Sequence, residues 1–89
     1  MITCILDGME IQNKETLHDI LAVSLHFPDW YGRNLDALYD CLTDMQEEVE
    51  IQFLQKDILT EHLGAYADLL IKVVCMSAKD NSKICFKFL

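Results

Sequence analysis

The spacing of apolar residues predicts an alternation of short strands and helices. Ile2 to Leu6 is a short apolar run closed by Asp7-Gly8, the pattern of a buried strand running into a turn. Asn13 stands where a helix cap is expected, with Glu15 next to the positive end of the helix dipole. Leu17, Ile20, Leu21 and Leu25 then share one helical face. His26-Phe27-Pro28 ends that helix, because proline pushes the residue before it out of helical geometry. After a loop from Asp29 to Arg33, Asn34 caps a second helix reaching about Thr43, with Leu35, Leu38 and Leu42 on its apolar face and Cys41 beside them. Val49 to Phe53 alternates cleanly, as a strand with one buried face does. Gln55 to Thr60 reads as a short helical turn. His62 to about Lys79 reads as one long helix with Ala67, Leu70, Ile71, Val74 and Ala78 as its stripe. An Asp80-Asn81-Ser82 turn leads into Ile84 to Leu89, which alternates again with Ile84, Phe86 and Phe88 on one face.

Strands separated by helices pair in parallel through right-handed crossovers. The expected architecture is therefore α/β: a three-stranded parallel sheet packed against helices, in the order βααβ(α)αβ. A chain of 89 residues, 52% hydrophobic, suits a single globular domain over residues 1–89. At that size it buries roughly 60–65% of its unfolded surface and has one modest core. No linker, repeat or low-complexity stretch interrupts it. The first residues lack the basic n-region and the long apolar run of a signal peptide, and no run approaches the ~20 apolar residues of a membrane span. Cys4, Cys41, Cys75 and Cys85 form no CxxC pair and each has apolar neighbours. Four free, buried thiols in a reducing cytoplasm are expected.

Charge adds the first functional information. Fifteen acids against seven bases leave a net charge of −8, which repels nucleic acid and anionic membranes and attracts basic partners. Asp29, Asp36, Asp40, Asp44, Glu47, Glu48 and Glu50 lie in one span whose only base is Arg33. That quarter of the chain holds six of the eight net negative charges. Asp36 and Asp40 are one helical turn apart, so their carboxylates face the same way, and Asp44 is one turn further on. Like charges at this spacing destabilise a helix by about 0.2–0.5 kcal/mol. Asp36 gains from the dipole in the first turn, whereas Asp40 has no such compensation. Two readings stay open on spacing alone: a solvated helix face, or a surface that meets something cationic. Trp30 and Tyr31, next to Gly32, are two large aromatics in a polar loop, a composition typical of interface anchors or of rings folded back onto the core. Tyr31 is expected to be partly core and Trp30 exposed. Gly32 permits either a close approach to a partner or a tight turn.

Tyr31-Gly32, Asn34-Leu35-Asp36-Ala37-Leu38, Asp40 and Leu42-Thr43 together resemble the signature segment of the barstar family, inhibitors of the extracellular ribonuclease barnase. Leu17-His18, Leu59-Thr60-Glu61 and Ala78-Lys79 resemble the family as well, and the element order matches along the whole chain. The resemblance implies a cytoplasmic inhibitor forming a 1:1 complex with a small basic secreted ribonuclease, its second helix and preceding loop plugging the active site. It implies that Asp40 sits where a substrate phosphate binds, that Asp36 pairs with a base of the enzyme, and that Trp30 replaces an aromatic stacked on the catalytic histidine. It also makes Asn34 and Thr43 polar contacts. Carboxylates imitating an RNA backbone fit a cleft lined by Arg, Lys and His. The expected partner-binding residues are Trp30, Tyr31, Gly32, Arg33, Asn34, Asp36, Tyr39, Asp40, Thr43 and Asp44. Several positions depart from the family pattern: Arg33 stands in place of an acid, Tyr39 in place of Trp, Asp44 and Met45 in place of Gly and Trp, and Ser77 in place of a further contact acid. These departures bear on which ribonuclease is the target, not on the fold.

Nothing in the sequence supplies catalytic machinery. His18, His26 and His62 are scattered and expected at helix ends or on the surface, and Cys41 lies on the apolar side of its helix. There is no Gly-rich phosphate loop, no HxxxH or CxxC spacing and no EF-hand pattern. A non-enzymatic protein without cofactor or metal is expected. The alternative partner reading is an immunity or regulatory module of the same fold, directed at a basic protein that is not a ribonuclease.

Overall fold

The computed structural model describes residues 1–89. Its two leading helices begin where the asparagines predict. Asn13 Oδ1 accepts from the Thr16 amide at 2.9 Å, opening α1 (Lys14–Ser24), and Asn34 Oδ1 accepts from the Ala37 amide at 2.8 Å, opening α2 (Leu35–Thr43). Each cap satisfies an amide that the first helical turn leaves without a partner. Three strands, β1 (Ile2–Asp7), β2 (Val49–Leu54) and β3 (Ile84–Phe88), form one parallel sheet in that spatial order. Ile2 lies opposite Val49 and Val49 opposite Ile84, so Cys4, Leu6, Val49, Ile51, Phe53 and Ile84 all point to one side, where they are buried. On the other side Thr3, Ile5, Cys85 and Lys87 are exposed and Glu50 and Gln52 half-buried. The helices thus cover one face of the sheet only, a departure from the two-sided cover usual for parallel sheets.

The α/β architecture, the parallel pairing and the apolar faces of the first two helices match expectation. Leu17, Leu21, Leu25, Leu38 and Leu42 enter one core with Leu59, Ala67, Leu70 and Val74. Helices α3 (Lys56–Leu63) and α4 (Ala65–Asp80) correct the sequence reading. The expected turn after Gln55 is a full helix that takes in His62, and the long helix starts after it. Gly64 makes the break: at φ 61°, ψ −139° it occupies a region essentially closed to residues with a Cβ. Periodicity alone does not register a one-residue interruption between two helices whose apolar stripes both face the core.

Three side chains also depart from expectation. His18 is neither terminal nor on the surface: it lies within α1 and is 2% exposed. Ser77 is fully buried on α4, so that position cannot supply a contact group, and its hydroxyl has no hydrogen-bond partner. Cys85 is exposed on the open face of the sheet and donates to the Val49 carbonyl at 3.4 Å. Phe88 shares the face of Ile84 as expected, its ring stacked on Phe53 at 5.0 Å and half exposed at the end of an edge strand. All four cysteines are free, and Cys4 is fully buried. Burial pushes its thiol up to about 11, which keeps it protonated.

The turn after β1 lies hard against the start of α3. A Cβ on Gly8 would stand 2.4 Å from the Gln55 carbonyl oxygen and 2.5 Å from the Leu59 nitrogen, both backbone atoms that cannot rotate away. Gly8→Ala is therefore expected to destabilise the fold by about 1–3 kcal/mol through overpacking, read as a lower denaturant midpoint with an unchanged slope.

Candidate functional site

The acidic face is built on α2 from the inside outward. Leu38 and Leu42 are fully buried and fix which side of the helix meets the core, where α2 packs on α4. Asp36, Asp40 and Asp44 are left exposed. The only ion pairs in the molecule are Arg33 with Asp19 at 2.6 Å and Lys87 with Glu50 at 3.4 Å. The three aspartates, together with Asp29, Glu47 and Glu48, therefore have no cation of their own. Glu50 does not belong with them: it lies on the open face of the sheet, bonded to Gln52 and Lys87, which hold its carboxyl below the usual range. The sequence cluster thus divides between two surfaces, because alternation in β2 sends Glu50 away from the helices.

Arg33 does not dilute the face. Its backbone is left-handed, φ 56°, and its guanidinium turns back to α1, donating to Asp19 Oδ1 at 2.6 Å and to the Glu15 carbonyl at 3.1 Å. The Asn34 side chain accepts from the Ala37 amide and donates to the Gly32 carbonyl at 3.2 Å, which leaves one N–H free for a partner. Gly32 lies where a Cβ would meet the Ala37 methyl at 3.1 Å, so the loop approaches the helix closely at that point. Thr43 is half-buried, and its hydroxyl donates back to the Tyr39 carbonyl at 2.8 Å. The Tyr39 hydroxyl donates to Asp80 at the end of α4, a bond that raises the phenol above its ordinary value.

Trp30 and Tyr31 part company as expected: Trp30 is 80% exposed and Tyr31 6%. Tyr31 is thus placed to support the loop, not to present its ring. Its hydroxyl lies 2.7 Å from His18 Nδ1, and the Tyr66 hydroxyl lies 2.9 Å from His18 Nε2. A neutral imidazole has one donor and one acceptor nitrogen, so one tyrosine donates to it and the other accepts. The bridge ties the loop to α1 and α4. Sequence reading missed it because its partners are 13 and 48 residues from His18. Asn81 was missed in the same way. Beyond serving the turn before β3, its Nδ2 donates to the Leu42 and Met45 carbonyls at 3.0 and 3.1 Å, closing the C-terminal end of α2. The one available signal was that α2 has no basic residue in its last turn to do this.

No group of three or more His, Cys, Asp or Glu is arranged to hold a metal ion, and no helix is long and apolar enough to cross a membrane. Fold and face together define a class: a small acidic α/β protein that presents an uncompensated acidic helix beside a braced aromatic loop. The chain belongs to the barstar family, whose model, described as Barstar (barnase inhibitor), matches residues 1–89. A relative from Bacillus subtilis (strain 168), named "Putative ribonuclease inhibitor YrdF", is 41% identical over 86 residues, covering 96% of this chain and 93% of that protein.

The His18 bridge makes stability depend on pH. Burial first, and the Arg33 cation second, push the imidazole below its ordinary 6.5, while Asp19 partly offsets them. The unfolded chain therefore takes up this proton more readily than the folded one. The contribution is complete above 6.5 and is lost as pH falls from there through the lowered native value. Denaturation at a series of pH values is expected to show wild-type stability falling below 6.5, with a flatter dependence in His18→Gln. The His18 ring resonances should titrate below 6.5.

Proposed function

We propose that this chain inhibits a small, basic, secreted ribonuclease by forming a 1:1 complex in the cytoplasm, with α2 and the loop before it filling the enzyme's active-site cleft. One observation carries the reading: Asp36, Asp40 and Asp44 line an exposed helix with no internal cation, in a member of the barstar family. The relative named as a ribonuclease inhibitor supports it. In the proposed complex Asp40 takes the place of a substrate phosphate, Asp36 pairs with a base of the enzyme, and the exposed Trp30 stacks on the cleft wall. The protein acts by occupancy and performs no catalysis.

The face is costly to the free protein and useful only when bound. Asp40→Asn removes repulsion from Asp36 and Asp44, so the free chain is expected to be unchanged or more stable by up to about 0.5 kcal/mol. Binding should weaken by about 2–5 kcal/mol or more, the range for losing one partner of a buried charge pair, for which the barnase–barstar complex is itself a reference case. Titration of the wild type against barnase and a panel of small basic ribonucleases should give equimolar inhibition of at least one. Failure to inhibit any would remove the ribonuclease reading. Unfolding of Asp40→Asn would make that residue structural, and wild-type binding by it would move the site elsewhere.

A further inference from the structure

Helical geometry puts Tyr39 and Cys41 on opposite flanks of Asp40, about 100° to either side. On the Cys41 flank the surface holds a hollow of about 210 Å³ between the C-terminal end of α2 and the loop residues His26 to Trp30. Phe27, Trp30, Cys41 and Met45 supply apolar walls, Asp44 supplies a carboxylate and His26 an imidazole, which makes no ion pair with Asp44. Sites for small organic ligands usually run to about 300–1,000 Å³, so this hollow has the size for one inserted side chain.

We propose that the hollow is the seat of a single arginine side chain of the partner, with its guanidinium on the Trp30 ring and its charge on Asp44. The proposal rests on the reading that the acidic face binds a ribonuclease, and it identifies one determinant of which ribonuclease that is. Charge selects the occupant. Asp44 has no counter-ion within the chain, and an apolar occupant would remove its carboxylate from water with nothing to offset the loss. An acidic occupant would meet the like charge of Asp44. The 80% exposed Trp30 offers an open ring face for a cation. Arginine fits this combination better than lysine, because a planar guanidinium can stack on the indole while its edge donates to a carboxylate. The seat is continuous with the acidic face, since Asp44 follows Asp40 by one helical turn.

The test uses whichever ribonuclease of the panel the wild-type protein binds, with association and dissociation followed separately. A seated charge pair governs dissociation, whereas a peripheral charge governs association and its salt dependence. Asp44→Asn and Trp30→Leu are each expected to speed dissociation about tenfold or more, with thermal unfolding of the free chain unchanged for Trp30→Leu and unchanged or raised for Asp44→Asn, which relieves the end of α2 of a like charge. Glu47→Gln, an exposed acid in the α2–β2 loop and outside the hollow, should alter association only. Replacing the ribonuclease arginines one at a time by glutamine should reveal one whose effect disappears in the Asp44→Asn background. The proposal is overturned if Asp44→Asn changes association alone, as Glu47→Gln does, or if no arginine couples to it. Either outcome leaves the ribonuclease reading standing, whereas absence of wild-type binding to every ribonuclease removes both.

Discussion

Three carboxylates in a row on one helix repel one another, so α2 has to be held from its other side. The repulsion costs about 0.2–0.5 kcal/mol per pair, and Asp44 at the C-terminal end adds roughly 0.3–1 kcal/mol by opposing the helix dipole. Against this stand Leu38 and Leu42, both fully buried, each contributing about 1.5–3 kcal/mol by leaving water. Burial wins by a margin that lets the outer face be chosen for something other than stability. Hydrogen bonds then fix the helix ends, Asn34 at the first turn and Asn81 at the last carbonyls, where the helix has no basic residue to help itself.

The loop before α2 follows the same division of labour over two consecutive residues. Tyr31 goes inward to His18, and Trp30 goes outward to solvent. Fixing the first orients the second. The loop backbone that carries Trp30 is thereby held before any partner arrives, which lowers the entropic cost of ordering it on association. Arg33 completes the arrangement by spending its charge on Asp19 and α1 instead of on the acidic face. Its bonds to the Asp19 carboxylate and the Glu15 carbonyl hold the side chain away from that face.

Much of this was legible in the sequence, for local reasons. Asn13 and Asn34 mark helix starts because a cap bond spans only three residues. The sequence places a helix end near His26-Phe27-Pro28, but the proline does not make it: α1 stops at Ser24, where His26 turns left-handed at φ 57° and the Phe27 amide donates back to the Ala22 carbonyl. The alternation of Val49 to Phe53 records a half-buried strand directly. The acidic row and the exposed Trp30 were visible for the same reason. What was hidden depends on residues far apart along the chain. Neither the His18 bridge to Tyr31 and Tyr66 nor the reach of Asn81 to the end of α2 leaves any periodic trace. The break at Gly64 is a backbone event inside an unbroken apolar pattern. Ser77, which the resemblance puts in place of a contact acid, is instead buried, and nothing in the structure explains why a hydroxyl lies there without a partner.

The proposed partner surface is the loop and acidic helix from Phe27 to Met45, and the open face of the sheet lies outside it. Hydrogen–deuterium exchange on the chain, free and saturated with an inhibited ribonuclease, tests this most directly. Slowed exchange concentrated in the peptides covering residues 27–45, with β1 and β3 unchanged, is the predicted result. Protection confined to the edge strands β1 and β3, with α2 exchanging as in the free chain, would contradict the account.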